Sequence, residues 1–492
     1  MKRIGIKLTA LLLILALLLG LTACGARPAE PSPAPEPPEP TDTPLPDDTP
    51  DVTALAEAHR PELPEQPSQE AILEASDALW SREDLSIEER VAQDNALWDD
   101  YVAKAETYLE ALSALRGEPM ENGECFRAFT NAVSARLLSG TEENRVVSPA
   151  NLYLALAMLA EITAGDTQRQ ILDLLGAEDA ETLRTLCRRV WENLYLDGEN
   201  SKTLPANSIW LRSGLDVRSE PLDVLAADYY ASAYQVPMGT AEADEALHNW
   251  LNENTNHLLE DSVGSLKTTP ETLLMLASTL YFKGAWLDQF SERTTAPNDF
   301  TLPDGTTVNV NFLHTAREQA AAVLDGYTIA ALPFAEQGSM VFLLPDEGVS
   351  LDEALARGGL EDALLLQEMN LPVYDVQWSV PKFDVGSTLD LVEDLRTLGV
   401  TDAFDAGLAD FTPLIVDEAE LSPYVSQVQH AARVLVDEEG CEAAAYTIIA
   451  IAEGCYMSDA LPTLAMNLNR PFLFLITGLD GLPLFAGVVQ NL

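Results

Sequence analysis

Residues 436–459 read Val-Asp-Glu-Glu-Gly-Cys-Glu-Ala-Ala-Ala-Tyr-Thr-Ile-Ile-Ala-Ile-Ala-Glu-Gly-Cys-Tyr-Met-Ser-Asp. An acidic turn runs through Gly440 into small residues and then into β-branched ones. Taking every second residue gives Cys441, Ala443, Ala445 and Thr447, all small, while Glu442 and Tyr446 between them tolerate water. Successive side chains of a strand face opposite sides, so this segment could enter the middle of a sheet with its small face over a packed core. From alternation alone, an edge strand or an exposed loop is the commoner outcome.

Around this segment, residues 122–492 continue without a linker-like change of composition. Helix-periodic stretches such as Phe126–Leu138 and Tyr153–Leu175 alternate with β-rich ones such as Val341–Leu344 and Phe472–Ile476, which predicts one large α+β domain. Upstream, residues 68–121 form an N-terminal extension. Its apolar residues recur at helical spacing (Ile72, Ala75, Leu79, then Leu97, Tyr101, Ala105, Leu109, Leu112), which predicts two helices broken near Leu85 and Ser86. The pair either packs on the domain or serves as a spacer. Residues 24–67 are expected to be an extended tether, since 13 of the 30 prolines and ten acidic residues fall between Pro28 and Pro67. A flexible leader with no spacing role fits the same composition.

The first residues read as an address. Lys2, Arg3 and Lys7 precede the apolar run Leu11–Leu19, and Leu21-Thr22-Ala23-Cys24 follows. The run is about half of the roughly 20 residues a bilayer span needs. Leu-Thr-Ala-Cys resembles the bacterial lipobox, so residues 1–23 are expected to be a lipoprotein signal peptide and Cys24 the lipidated residue. That places the mature chain outside the cell, anchored to the bacterial membrane surface. Several acyl chains on one cysteine would hold stably, at about 0.8 kcal/mol per buried methylene.

Composition removes several functions. The chain has 492 residues with 28 Lys+Arg against 79 Asp+Glu, a formal charge of −51. Nucleic-acid binding needs a basic face and is excluded as a partner class. Charge of this size serves solubility, or it steers cationic partners toward the chain at low salt. An enzyme has no visible site. The five histidines include no His-Glu-x-x-His pair, and no Gly-x-Ser-x-Gly elbow, phosphate loop or dinucleotide fingerprint occurs, so no metal and no cofactor is expected. The five cysteines show no Cys-x-x-Cys spacing.

With the surrounding motifs in view, the chain resembles the serpins. Asp437 through Ala445 looks like the proximal hinge of an inhibitory member's reactive-centre loop. Val147-Ser148-Pro149 with Ala155–Leu159 and Gly165-Asp166-Thr167, then Asn207–Trp210, Leu280–Trp286, Val380–Phe383, Leu395–Gly399, Ala409–Phe411, Arg470–Phe474 and Leu484–Gly487 follow in family order. The resemblance implies a fold of three β-sheets with about eight or nine helices and an exposed reactive-centre loop near residues 438–465. It implies a breach tryptophan at Trp286 and a buried polar shutter at Ser148, Asn151, Ser278 and His430. Asn151 stands where the family usually has a second serine and Ser278 where it has an asparagine. An exchange that keeps both groups is expected to preserve the hydrogen-bonded cluster, since a buried unpaired group costs about 1–3 kcal/mol.

The implied function is suicide inhibition by a monomer. A protease attacks the loop, forms an acyl-enzyme, and is trapped when the hinge (Glu438, Glu439, Gly440, Cys441, Glu442, Ala443, Ala444, Ala445 and Thr447) inserts as a new strand. Counting from Glu438 at the family's spacing puts the scissile bond at Gly454-Cys455, with Met457-Ser458 as the alternative. No Lys or Arg lies between Glu438 and Asn469, so an elastase- or chymotrypsin-like serine protease suits the loop better than a trypsin-like one. A cysteine protease target and a non-inhibitory surface-binding role stay open, as does a Cys125–Cys187 disulfide. Oxidation of Cys455 would be one way to modulate activity.

Overall fold

Serine N-caps set the first two helices. Ser68 Oγ accepts the amide of Ala71 at 3.1 Å at the head of α1, Gln69–Trp80, and Ser86 closes a capping box with Glu89 at the head of α2, Ile87–Arg116. Ile72 and Leu79 are buried on α1. The lower end of α2 packs Tyr108 and Leu112 on Leu196 with Leu63 beside them, and Arg116 donates to the Tyr195 carbonyl at 3.3 Å. The extension is therefore docked on the domain and is not a free spacer.

The computed structural model describes residues 52–117, 123–198, 201–264, 266–335, 337–416, 421–441, 461–478 and 481–492. All belong to one unit, Pro50–Leu492. The leader to residue 23, Cys24 and the tether as far as residue 51 lie outside the described residues. The last part of the expected tether differs from its reading. Thr53–Ala56 is a strand, paired antiparallel with Ala231–Val236. Residues 51–60 hold no proline, so their amides are free to enter a ladder, and an unpaired sheet edge lies alongside to receive them.

Two hydrogen-bonded sheets carry the domain. The central one runs, in spatial order, Thr53–Ala56, Ala231–Val236, Ser201–Arg212, Leu274–Ala285, Gly440–Cys441, Gln429–Val436 and Phe383–Asp390, with Leu196–Asp197 paired on Ser201–Arg212. Three sheets are expected from the sequence. The second and third are joined here because Thr307–Leu324 is 18 residues long, pairing through Phe312–Ala320 with Val373–Pro381 and through Ala321–Leu324 with Tyr327–Pro333. Ser339–Pro345, Phe472–Thr477, Pro483–Val489 and Arg145–Val147 continue that second sheet on one side and Thr463–Asn467 on the other, and Ala296–Thr301 pairs with the first part of Thr307–Leu324.

The main core lies against both sheets. The helix Pro149–Glu161, capped by Ser148 and started by Pro149, is buried along nearly all its length. Tyr153 packs 5.1 Å from both Phe126 and Phe129, and in the second sheet's face of the core Phe472 meets Phe342 and Phe383, the latter meeting Phe474 as well. Among the described residues no helix is long and apolar enough to cross a membrane.

Candidate functional site, a strand-accepting slot

The central sheet is a ladder interrupted at one place. Leu274–Ala285 pairs with Ser201–Arg212 over eleven positions, from Ser201 opposite Gly284 to Leu211 opposite Leu274. On the far side, Gln429–Val436 pairs with Phe383–Asp390 over eight. Between these halves, the only pairing among the described residues is made by Gly440 and Cys441, with Ala285 and Gly284 on one side and Val436 on the other. Below them the halves part around a slot of about 910 Å³, lined by Leu276, Ser278, His430, Ala432 and Val434 and covered by Leu247 and Leu251 of the helix Ala241–Glu253. Leu274–Ser278 are half-buried there, where the upper residues of the same strand are mostly buried. An antiparallel strand is the group that would satisfy both facing edges.

The top of the slot is tightly bonded. Trp286, 2% exposed, donates Nε1–H to the Asp437 carbonyl at 3.0 Å and its backbone amide to the Glu439 carbonyl at 3.0 Å. Its ring stacks on Phe334 at 5.0 Å and meets Phe290 edge-on at 5.9 Å. Asp437 makes the turn: its Oδ1 accepts the amides of Glu439 and Gly440, and its own amide donates to the Gly440 carbonyl. Glu438 is held by Lys382 at 2.5 Å and by the Thr295 hydroxyl at 2.9 Å. Burial raises the Glu438 pKa, but the bonds from Lys382, backbone and Thr295 together outweigh it and leave the carboxyl below its ordinary range.

Glycine at 440 is a packing requirement. A Cβ there would lie 2.2 Å from the Gly284 carbonyl oxygen and 2.9 Å from the Ala285 Cα, so the strands could not close to pairing distance. Cys441 follows, 2% exposed, while Cys125 and Cys187 are free thiols that form no disulfide with one another.

The middle of the slot is only partly bonded. The Ser148 amide donates to His430 Nε2 at 2.9 Å, and the Ser148 hydroxyl donates to the Leu484 carbonyl at 2.8 Å. An acceptor Nε2 requires a neutral ring, in keeping with burial, which pulls the His430 pKa down to about 4. The other two shutter residues are not joined to this pair. Ser278 Oγ is buried without a hydrogen-bond partner, and the Asn151 side chain makes no hydrogen bond among the described residues. The expected four-residue cluster is thus a two-residue one. The physical reason is the slot itself, which separates the strand of Ser278 from the strand of His430.

Glu438, Glu439, Gly440, Cys441, Trp286, Ser148 and His430 come together around one slot. Glu442, Ala443, Ala444, Ala445, Thr447, Gly454, Cys455, Met457 and Ser458 lie outside the described residues. Sequence reasoning overlooked Lys382, Thr295, Phe334 and Gly284. Lys382 sits inside the quoted motif Val380–Phe383, but its partner Glu438 is 56 residues away, and no local pattern links them.

Residues 125–492 match the model of a family described as Serpin (serine protease inhibitor). A relative from Triticum aestivum, Serpin-Z2B, is 31% identical over 369 residues, covering 71% of this chain and 90% of its own. Serpin-Z10 of Arabidopsis thaliana is 29% identical over 393 residues, covering 76% and 98%. Among solved structures, the thermophilic serpin tengpin in its native state superposes with a TM-score of 0.67 at 25% identity, covering 76% of this chain and 96% of that one.

Proposed function

The chain belongs to the serpin family, generally protease inhibitors, and from that premise we propose that it is a suicide-substrate inhibitor of an extracellular serine protease. The observation that carries this reading is the slot: two strand edges held apart, with Gly440 and Cys441 already seated at its top. A protease that attacks the loop becomes acylated through its own nucleophile while the peptide bond breaks and the new amine leaves on the C-terminal fragment. The freed hinge then fills the slot with the acyl-enzyme still attached, and the formed ladder makes the step irreversible.

The register set at the top says what the filled slot would contain. If inserted residues kept that register, Thr447 would come opposite both Ser278 and His430, and Ile451 opposite Leu274 at the strand's end. The Thr447 hydroxyl is then positioned to bond the orphan Ser278 hydroxyl. Cleavage at Gly454-Cys455 frees a segment long enough to reach Leu274 with three residues over, and cleavage at Met457-Ser458 frees three more. The absence of Lys and Arg from residues 438–469 directs the inhibitor to elastase- or chymotrypsin-like enzymes. The lipobox-like Leu21–Cys24 supports a location at a bacterial cell surface, with lipid on Cys24 as the anchor.

The test is incubation of the full chain with elastase-, chymotrypsin- and papain-like proteases. A denaturing gel and intact mass should show a covalent adduct with a serine protease and a released peptide beginning at Cys455 or Ser458. An adduct with the papain-like enzyme alone would move the target to cysteine proteases. Cleavage without adduct across the panel would contradict inhibition and leave a binding role.

A further inference from the structure

The residues just ahead of α1 bear on the part of the molecule that has to give way when the slot fills. Val52 packs on a small core of Trp210, Val236, Met238, Ala243 and Leu247. Ala243 and Leu247 belong to the covering helix Ala241–Glu253, and Met275 and Ala277 of the slot's wall pack on the same core. Directly after Val52, Thr53 lies opposite Gln235 and Ala54 opposite Tyr234 on the sheet's edge strand. The Ala58 amide donates to Ser232 Oγ at 3.2 Å and the His59 amide to the Ala226 carbonyl at 3.0 Å. Residues 52–59 are thereby fixed by backbone bonds that press Val52 on the core beneath the covering helix.

Leu247 and Leu251 line the slot as well as facing that core. A strand entering below Cys441 has to pass under these side chains, so the helix must lift while it enters. Contacts that hold the helix down exist before the lift and are loosened during it, which makes them a barrier to filling and not merely a contribution to stability. We propose that residues 52–56 are a brake on the trap: a strand added in cis to the central sheet's edge that, through Val52, slows filling of the slot until cleavage drives it. This inference rests on the reading that the slot accepts a strand.

The test reads conversion without any protease. The uncut full chain is held a few degrees below its melting temperature, and the fraction converted to a heat-resistant form whose loop is no longer cleavable is followed with time. Val52→Ala should convert roughly fivefold faster than the parent, and Val52→Asp faster still, since a charge opposes the apolar core. Val52→Ile and Leu73→Ser, the latter at a 41% exposed position on α1, should convert at the parent's rate. Amide exchange in Ala241–Glu253 should quicken in the first two variants alone. Parent-like conversion and exchange in both Val52→Ala and Val52→Asp would overturn the brake and leave the trap standing. Failure of every chain to gain heat resistance even after its loop is cut would contradict the trap, and the brake with it.

Discussion

At the top of the slot Trp286, Glu438 and Gly440 are each held by several hydrogen bonds, whereas in its middle the Ser278 hydroxyl is buried with none and Asn151 is bonded only through its backbone. The two regions share the same pair of strands and differ only in whether a third strand lies between them. Where Gly440 and Cys441 supply it, backbone and side chains are satisfied. Where nothing described supplies it, edges and polar groups are left without partners, which costs free energy that a strand would recover. The upper region is the finished state of the sheet and the lower region its unfinished state, in one molecule.

Changing the finished region should have the largest effects. Cys441→Arg puts a charge at a 2% exposed position inside the sheet, and should make the chain a cleaved substrate, with adduct formation reduced at least about a hundredfold. An adduct surviving on a denaturing gel would refute this. Gly440→Ala should cost about 2–3 kcal/mol, read as a lower denaturation midpoint of the uncut chain, because the new Cβ meets the Gly284 carbonyl at 2.2 Å and backbone cannot yield as a side chain can.

The middle of the slot should respond to pH. His430 has a folded pKa of about 4 against an ordinary value near 6.5, so between these the unfolded chain binds the extra proton and stability falls as pH falls. The loss begins below pH 6.5, is complete below about 4, and amounts to ~3 kcal/mol. Unfolding titrations at pH 7 and pH 5 should show it, and His430→Gln should flatten the dependence in that window. The smallest effect is Ser278→Ala, which should stabilise the uncut chain by about 1 kcal/mol or leave it unchanged, since it removes a hydroxyl that has no partner. The same change should destabilise the cut, filled form if Thr447 reaches that hydroxyl, and a loss of stability in the uncut chain would show that Ser278 is bonded there.

Much of this was legible in residue order, and the exceptions share a cause. The two N-terminal helices and their break could be read from Ser68 and Ser86 and from apolar spacing because caps and periodicity are local. Gly440 and Cys441 could be read as strand-entering because small residues alternate there. The strand Thr53–Ala56 could not, since four residues in a proline-rich stretch become a strand only where an edge at Ala231–Val236 receives them. The Lys382–Glu438 pair and the fusion of two expected sheets through Thr307–Leu324 are likewise contacts between distant segments. The slot was least visible of all, because it is a pairing that no described residue makes.

The most direct measurement is therefore on the sheet before and after its loop is cut. The full chain is nicked with a protease it does not trap, and the melting temperature and amide exchange of Leu274–Ala285 and Gln429–Val436 are recorded for the intact and nicked forms. The account predicts a large rise in melting temperature on nicking, with new protection at the slot-facing amides of residues 274–283 and 429–435, while the amides of the same strands that bond Ser201–Arg212 and Phe383–Asp390 are protected in both forms. An unchanged melting temperature, with the same residues exchanging as before, would contradict the claim that the slot is a site for a strand.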